Sequence, residues 1–302
     1  MFRLKLPSIG IGLIFLLLLS ASLEAAAQTR RKATGAIKVI TGHAGSVVFI
    51  NNVRHGSTGE NGELDLPRVQ AGSYPVRVRT VGYVDWKGRV TVAPNSSRVL
   101  KVEQQPTTDE ALLHYQRGDQ LRDSGKNADA VQEYKKALEL RPRFPEARVG
   151  MVRSLIVLQD FQEAEKQIQA ALKEHRGPYP EAQTVLANMR RNQGLVEESI
   201  VEYRKALRLA RGVSPEAHIG LGIALEEMNR IDEAIKEYRT GIAQDMDTEP
   251  ILYYLLGSAL EKRERYKEAI DAYGNYLRLD PEGQYASAVE SIIERLKEEI
   301  DR

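Results

Sequence analysis

The segment Gly257 to Pro281, GSALEKRERYKEAIDAYGNYLRLDP, decides the fold. It places small residues at Gly257 and Ala269, an aromatic at Tyr273 and a proline at its close. The alanine recurs upstream as Ala130, Ala164, Ser199 and Ala234, at intervals of 34, 35, 35 and 35 residues. Other markers keep the interval: Tyr134, Ile168, Tyr203, Tyr238 and Tyr273 stand four places later, and Gly118, Gly222 and Gly257 twelve places earlier. Such a period signals stacked helical hairpins, none of which buries its apolar face alone. A function built on such a stack is recognition.

The spacing also explains the residue types. Antiparallel helices approach closely only where side chains are small, which Gly118 and Ala130 provide. Tyr134 then fills the wider gap toward the next hairpin, and Pro142 ends the second helix at a fixed phase. These units resemble tetratricopeptide repeats, placed at 111–144, 145–178, 180–213, 215–248 and 250–283. Gly118 to Pro142 and Gly257 to Pro281 are the best copies. The second unit is the most degenerate, with Val152 for glycine, Ile168 for the aromatic and Arg176 for the closing proline; Ser199, Gly241 and Tyr276 are smaller departures. A last helix, Tyr285 to Ile300 within 284–302, alternates Ala288, Ile292 and Leu296 with charged residues and serves as a solvating cap.

From 36 to 104 the pattern changes to short runs rich in Val, Ile and Thr, broken by Gly, Asn and Pro, which predicts a small antiparallel β-sandwich. In Tyr74-Pro75-Val76-Arg77-Val78-Arg79 the valines face one side and the arginines the other. The stretches Gly59 to Pro67, Ala71 to Tyr74 and Val81-Gly82-Tyr83 resemble carboxypeptidase regulatory-like domains and, nearly as closely, the PEGA family. The Pro-Glu-Gly-Ala signature of the latter is absent, with Gly42-His43-Ala44-Gly45 near its place. Both resemblances imply a non-catalytic accessory module. Trp86 and Tyr83 read either as a sugar-stacking patch or, more simply, as caps on the sandwich core. Residues 105–110 form a polar linker in which Thr108 or Asp109 caps the next helix. The fold class is therefore multidomain: an antiparallel sandwich, then an α-solenoid of about five repeats and a capping helix.

Met1 to Gln28 has a basic start at Arg3 and Lys5, an apolar run from Ile9 to Leu19 and a small-residue exit at Ala25-Ala26-Ala27. This is the layout of a secretory signal peptide over 1–27, followed by a flexible mature start at 28–35. The run is short for a span of ~20 apolar residues. Arg30, Arg31 and Lys32 after it resist translocation, so an uncleaved membrane anchor stays open as the alternative. The expected location is the periplasm or cell envelope.

The formal net charge is +1, and without residues 1–27 the chain holds 41 basic and 41 acidic groups, which gives no overall attraction to nucleic acid. The charge is divided, however: 36–104 carries nine Lys/Arg against five Asp/Glu, and 105–302 carries 29 against 36. The halves either dock on each other or simply scatter solvated charge.

The absence of cysteine excludes disulfides, thiolate metal sites and cysteine nucleophiles. His43 and His55 lack the partners of a metal site, and His114, His175 and His218 fall in different units without a nucleophile beside them. No catalytic, metal or cofactor site is expected, and the chain reads as a non-enzyme.

The tetratricopeptide resemblance implies a concave surface lined by the first helix of each unit. Its inward places fall on Tyr115, Asp119 and Arg122; Val149, Arg153 and Ile156; Thr184, Asn188 and Arg191; Ile219, Ile223 and Glu226; and Tyr254, Ser258 and Glu261. The arginines gather early and Glu226, Glu227 and Glu261 late, which would orient a ligand of opposite polarity. Equally, these are solvated helix charges beside core aliphatics. The lysines and asparagines of a chaperone carboxylate clamp are missing, the matching places holding Tyr115, Asp119, Gly150, Glu181 and Val185. The expected function is an exported interaction scaffold whose groove takes a peptide or helix of an envelope partner. Two alternatives are a glycan or wall-polymer binder acting through the sandwich, and a membrane-anchored assembly factor.

Overall fold

A computed structural model describes residues 33–51, 53–245 and 249–301. The expected signal peptide and the chain up to residue 32 lie outside the described residues. The sandwich has seven strands, with alternating apolar residues clearest in the first, fifth and sixth: β1 (Thr34–Ile40), β2 (Val47–Ile50), β3 (Val53–Ser57), β4 (Glu63–Gln70), β5 (Gly72–Arg79), β6 (Trp86–Val92) and β7 (Ser97–Lys101). They form two sheets, ordered β4-β1-β7 and β3-β2-β5-β6. Because successive side chains point to opposite faces, Ile37, Val39, Val48, Ile50, Val76 and Val78 meet between the sheets, each at most 3% exposed. Trp86 packs against this core.

The sandwich departs from a purely antiparallel one in a single pair, since β7 runs parallel to β1. The physical reason is the connection: β6 ends the second sheet and the chain crosses at Ala93–Ser96 to the outer side of β1, so β7 joins a strand that is not its sequence neighbour. On the outer face of the second sheet the register aligns Arg54, Phe49, Arg77 and Lys87 in one row across four strands. The Arg77 guanidinium lies 4.1 Å from the centre of the Phe49 ring.

Eleven helices follow among the described residues: α1 (Glu110–Asp123), α2 (Asn127–Leu140), α3 (Pro145–Val157), α4 (Phe161–Glu174), α5 (Pro180–Asn192), α6 (Val196–Leu209), α7 (Pro215–Glu227), α8 (Ile231–Asp245), α9 (Pro250–Glu261), α10 (Tyr266–Leu279) and α11 (Ala286–Ile300). Asp109 caps α1 by accepting from the Leu112 amide. Prolines open α3, α5, α7 and α9, where a missing amide hydrogen costs nothing. The turn inside each hairpin needs one residue with positive φ, and Gly125, Gln159, Gly194, Asn229 and Glu264 supply it at the repeat interval.

Within the stack, Ala130, Ala164, Ser199, Ala234 and Ala269 are all fully buried. The tyrosine four places after the small residue enters a slot cleared by glycine in four of the units: Tyr134 lies between Gly118 and Gly150, Tyr203 against Gly220, Tyr238 against Gly222 and Tyr273 against Gly257. A Cβ on Gly222 would stand 2.4 Å from the Tyr238 ring. The degenerate second unit keeps the volume by exchange, with Val152 in place of the glycine and Ile168 in place of the tyrosine, both fully buried.

Two outcomes follow from this packing. Gly222→Val should destabilise the solenoid by ~1–3 kcal/mol through overpacking, and Tyr238→Ile in the same chain should recover part of that loss, as the Val152 and Ile168 pair does naturally. Urea unfolding of both variants checks this, and strictly additive losses would refute the shared slot. In the sandwich, His55 is 7% exposed and its Nε2 has no hydrogen-bond partner. Burial lowers its pKa from 6.5 to about 4. The unfolded chain therefore takes up the proton first, so sandwich stability is complete above pH 6.5 and falls as pH drops toward 4, by about 3 kcal/mol in all. Fluorescence of Trp86, the one tryptophan, reports it; His55→Leu should abolish this component of the acid sensitivity.

Candidate binding surface

The first helices of successive units pack on one another, α1 on α3, α3 on α5 and α5 on α7, whereas the second helices make no comparable pairing. The stack is tighter on the first-helix side and curves toward it. The buried tyrosines reach this side with their hydroxyls. Tyr134 donates to Asp119 at 2.7 Å, Tyr203 to Asn188 at 2.5 Å, Tyr238 to Glu226 at 2.5 Å and Tyr273 to Glu261 at 3.0 Å. Burial first, and a nearby carboxylate second, push the Tyr134 phenol well above its ordinary range.

The charged places along this surface are engaged with each other. Arg122 pairs with Asp119 at 2.7 Å and Asp123 at 3.0 Å. Arg153 reaches from the second unit to Glu216 of the fourth with two bonds of 2.6 and 2.9 Å. Burial works against a charged Glu216, but Arg153, with the Asn188 amide, holds its pKa below the usual carboxylate value. Arg191 pairs with Glu227 at 3.1 Å, Glu226 accepts from Lys262 at 2.8 Å, and Glu261 from Arg295 of the capping helix at 2.5 Å. Of the charges expected to meet a ligand, Arg122 is thus held within its own unit, and Arg153, Arg191, Glu226 and Glu261 are staples to other units or to the capping helix.

Several apolar places are likewise covered. Val149 and Thr184 are 1% exposed, and the Thr184 hydroxyl donates back to Pro180. Tyr115 and Ile156 are buried. Ile219, Ile223, Tyr254 and Ser258 remain half-buried, with Tyr254 stacked on Tyr285 at 4.7 Å. Two of the three histidines of the repeats are hairpin latches: His114 meets Glu133 and His218 meets Glu237, both at 2.6 Å, in the relation that Arg148 has to Gln167, whereas His175 stacks on Tyr179 at 4.1 Å. Among the described residues no group of three His, Asp or Glu could hold a metal ion, and no helix is long and apolar enough to cross a membrane.

The sandwich sits on this same concave side. Arg79 of β5 pairs with Asp119 and with Asp85, and its guanidinium lies 4.8 Å from the Tyr115 ring centre. Burial opposes that charge, and Tyr115, Asp119 and Asp85 together more than offset it, so the Arg79 pKa rises. Gln116 accepts from the Gly82 amide at 2.9 Å and donates to the Tyr83 carbonyl at 2.8 Å. Arg54 approaches Asp123 at 3.9 Å, and at the far end Gln70 donates to the Ala243 carbonyl at 3.3 Å. Two arginines of the sheet, Arg79 and Arg54, therefore meet two carboxylates of the first helix, Asp119 and Asp123. A cleft of about 1250 Å³ remains between the outer face of the second sheet and the repeats.

Residues outside the family's inward places line this cleft. Glu146, Glu181 and Glu216 follow the prolines that open α3, α5 and α7, and Glu249 precedes the one that opens α9. The 35-residue recurrence of Pro145, Pro180, Pro215 and Pro250 was a readable signal for them. Val213 and Ile251, 40% and 38% exposed, add apolar surface.

The geometry defines a class: an α-solenoid of helical hairpins carrying a β-sandwich docked on its concave face. The tetratricopeptide-repeat family model matches residues 121–189 and, in a second form, 215–288, and the PEGA-domain model matches 34–107. The chain is a tetratricopeptide-repeat protein with an N-terminal PEGA domain. Of the two sandwich families considered from sequence, the PEGA family is the one matched. Its fold is similar to that of a thermophilic tetratricopeptide protein of Thermus thermophilus, at 18% identity and a TM-score of 0.53 over 61% of this chain and 98% of that one. It is also similar to Pseudomonas aeruginosa pilF, at 16% identity and a TM-score of 0.55 over 64% and 85%. No curated protein is significantly similar in sequence.

Removing the docking groups should free the sandwich. In a chain carrying Arg79→Met and Gln116→Ala, proteolysis of the 103–109 segment should accelerate about tenfold, because Asp119 and the Gly82–Tyr83 backbone lose their partners. Raised salt should weaken the native contact in the same direction, though less, since the Arg79 pair is largely buried. Unchanged cleavage would show that these groups do not hold the two parts together.

Proposed function

We propose that this chain is an exported, non-enzymatic scaffold whose concave repeat surface binds a peptide or helical segment of a protein partner in the cell envelope. The observation that carries the reading is the cleft of about 1250 Å³, which runs past successive repeats and exposes Val213 and Ile251 between charged walls. Its volume exceeds the ~300–1,000 Å³ of ordinary small-molecule sites and suits a polymer. Apolar side chains left exposed there offer the contacts from which most affinity comes. The basic start, short apolar run and Ala25-Ala26-Ala27 exit support export, and the PEGA domain accords with an envelope location.

The test compares capture from an envelope extract by residues 28–302 and by the same chain with Val213→Arg and Ile251→Arg. Both positions are exposed, so the helical signal should persist. A partner retained by the native chain and reduced at least about tenfold by the variant supports the scaffold reading. Equal capture by the two chains would overturn it.

A further inference from the structure

We infer that the cleft between the PEGA sheet and the repeats is a composite site for an extended peptide of alternating charge, its acidic side chains turned to the sheet and its basic ones to the repeats. This rests on the peptide-binding reading above and specifies the occupant.

The sheet wall carries more positive charge than its partners answer, since Asp85 serves both Arg77 and Arg79 and Arg54 has only Asp123 at 3.9 Å. Arg77 and Lys87 are directly opposite on neighbouring strands, and Arg54 lies in the same row beyond Phe49. Like charges so placed destabilise a sheet. Asp85 stands 3.6 Å from Arg77, the Arg77 Nε is buried without a partner, and Lys87 is exposed with no ion pair among the described residues. A row that costs stability and points into a cleft marks a surface kept for something else.

The opposite wall is acidic. Glu146, Glu181 and Glu249 are exposed, and Glu181 has only Arg153 at 3.6 Å. Among them stands the Tyr179 hydroxyl, in a residue 8% exposed, lining the cleft and lacking any hydrogen-bond partner. A buried phenol without a partner costs ~1–3 kcal/mol, and a peptide backbone passing the glutamates would supply one.

An extended strand turns successive side chains to opposite sides, so a sequence of alternating sign presents one charge to each wall along its length. A helix cannot sort the same sequence, because 3.6 residues per turn spread both signs over every face.

The test uses residues 28–302 and dye-labelled peptides of about twelve residues, spanning ~40 Å, read by fluorescence anisotropy. Alternating Glu-Lys should bind at least about tenfold more tightly than a block peptide of identical composition. Either Arg54→Glu with Lys87→Glu, or Glu146→Lys with Glu249→Lys, should weaken the alternating peptide about tenfold. All four changes together should restore it, because a one-residue slip carries every side chain to the other face. All four positions are exposed; because Arg54 approaches Asp123, unchanged proteolysis of the 103–109 segment verifies that the sandwich stays docked, and Trp86 fluorescence with helical dichroism verifies folding. Equal binding of the block peptide, tighter binding of an all-glutamate peptide, no binding, or no recovery in the fourfold variant would each overturn the inference. If the envelope partner is still captured through Val213 and Ile251 when the alternating peptide fails, this inference falls and the scaffold reading stands.

Discussion

The insertion of a tyrosine ring into a slot cleared by glycine is the contact on which the rest depends. The ring fills the space between hairpins, and its length carries the hydroxyl to the concave face, so one side chain belongs to both the core and the surface. Tyr134 illustrates the linkage: its ring is held by Gly118 and Gly150, its hydroxyl donates to Asp119, and Asp119 receives Arg79 from the PEGA sheet. Core packing and domain docking therefore share a residue. The second unit has no such hydroxyl, since Ile168 replaces the tyrosine, and there Arg153 reaches across the third unit to Glu216 instead.

This network divides the concave charges into two kinds. Asp119, Arg122, Arg153, Arg191, Glu226 and Glu261 each have an opposite charge or a phenol as partner, and changing one strands its partner, which in partly buried surroundings costs more than the pair is worth. The first-turn glutamates are different. Negative charge is favoured at a helix N-terminus, which gives Glu146 and Glu181 a modest structural reason to be where they are. The basic row on the sheet is answered only in part, by Asp85 for Arg77 and by Asp123 at 3.9 Å for Arg54, while Lys87 is exposed. The asymmetry makes the sheet, rather than the repeats, the wall whose chemistry calls for a ligand.

The repeat architecture was legible because its constraint is one of volume at fixed spacing. Small residue, tyrosine and closing proline must recur wherever hairpins stack, and even Val152 with Ile168 can be read as the same volume divided differently. The sandwich was legible as alternation at Val76 to Arg79, but the parallel pairing of β7 was not, since alternation is indifferent to strand direction. The candidate site was least legible. Carrying inward places over from the family found the concave helices, yet it could not tell a free arginine from one answered by Glu216, 63 residues away. Nor could it foresee that the sandwich would lie over those helices, because neither Arg79 nor Gln116 belongs to a local pattern.

The placement of the PEGA domain alters what the groove is. Its contacts fall on α1, through Asp119, Gln116 and Asp123, and on α8, through the Ala243 carbonyl. A curved stack tied at its first unit by Arg79 and Gln116 and at its fourth by Gln70 is an arch with a chord, and such a tie limits how far the two ends can separate. A site whose two walls are held at a set separation before the ligand arrives loses less freedom on binding, and this raises affinity without a new contact. For the proposed peptide, affinity would then depend on side chains such as Gln116 that need never touch it. Isolated repeats would retain the concave surface while losing both the basic wall and the fixed width.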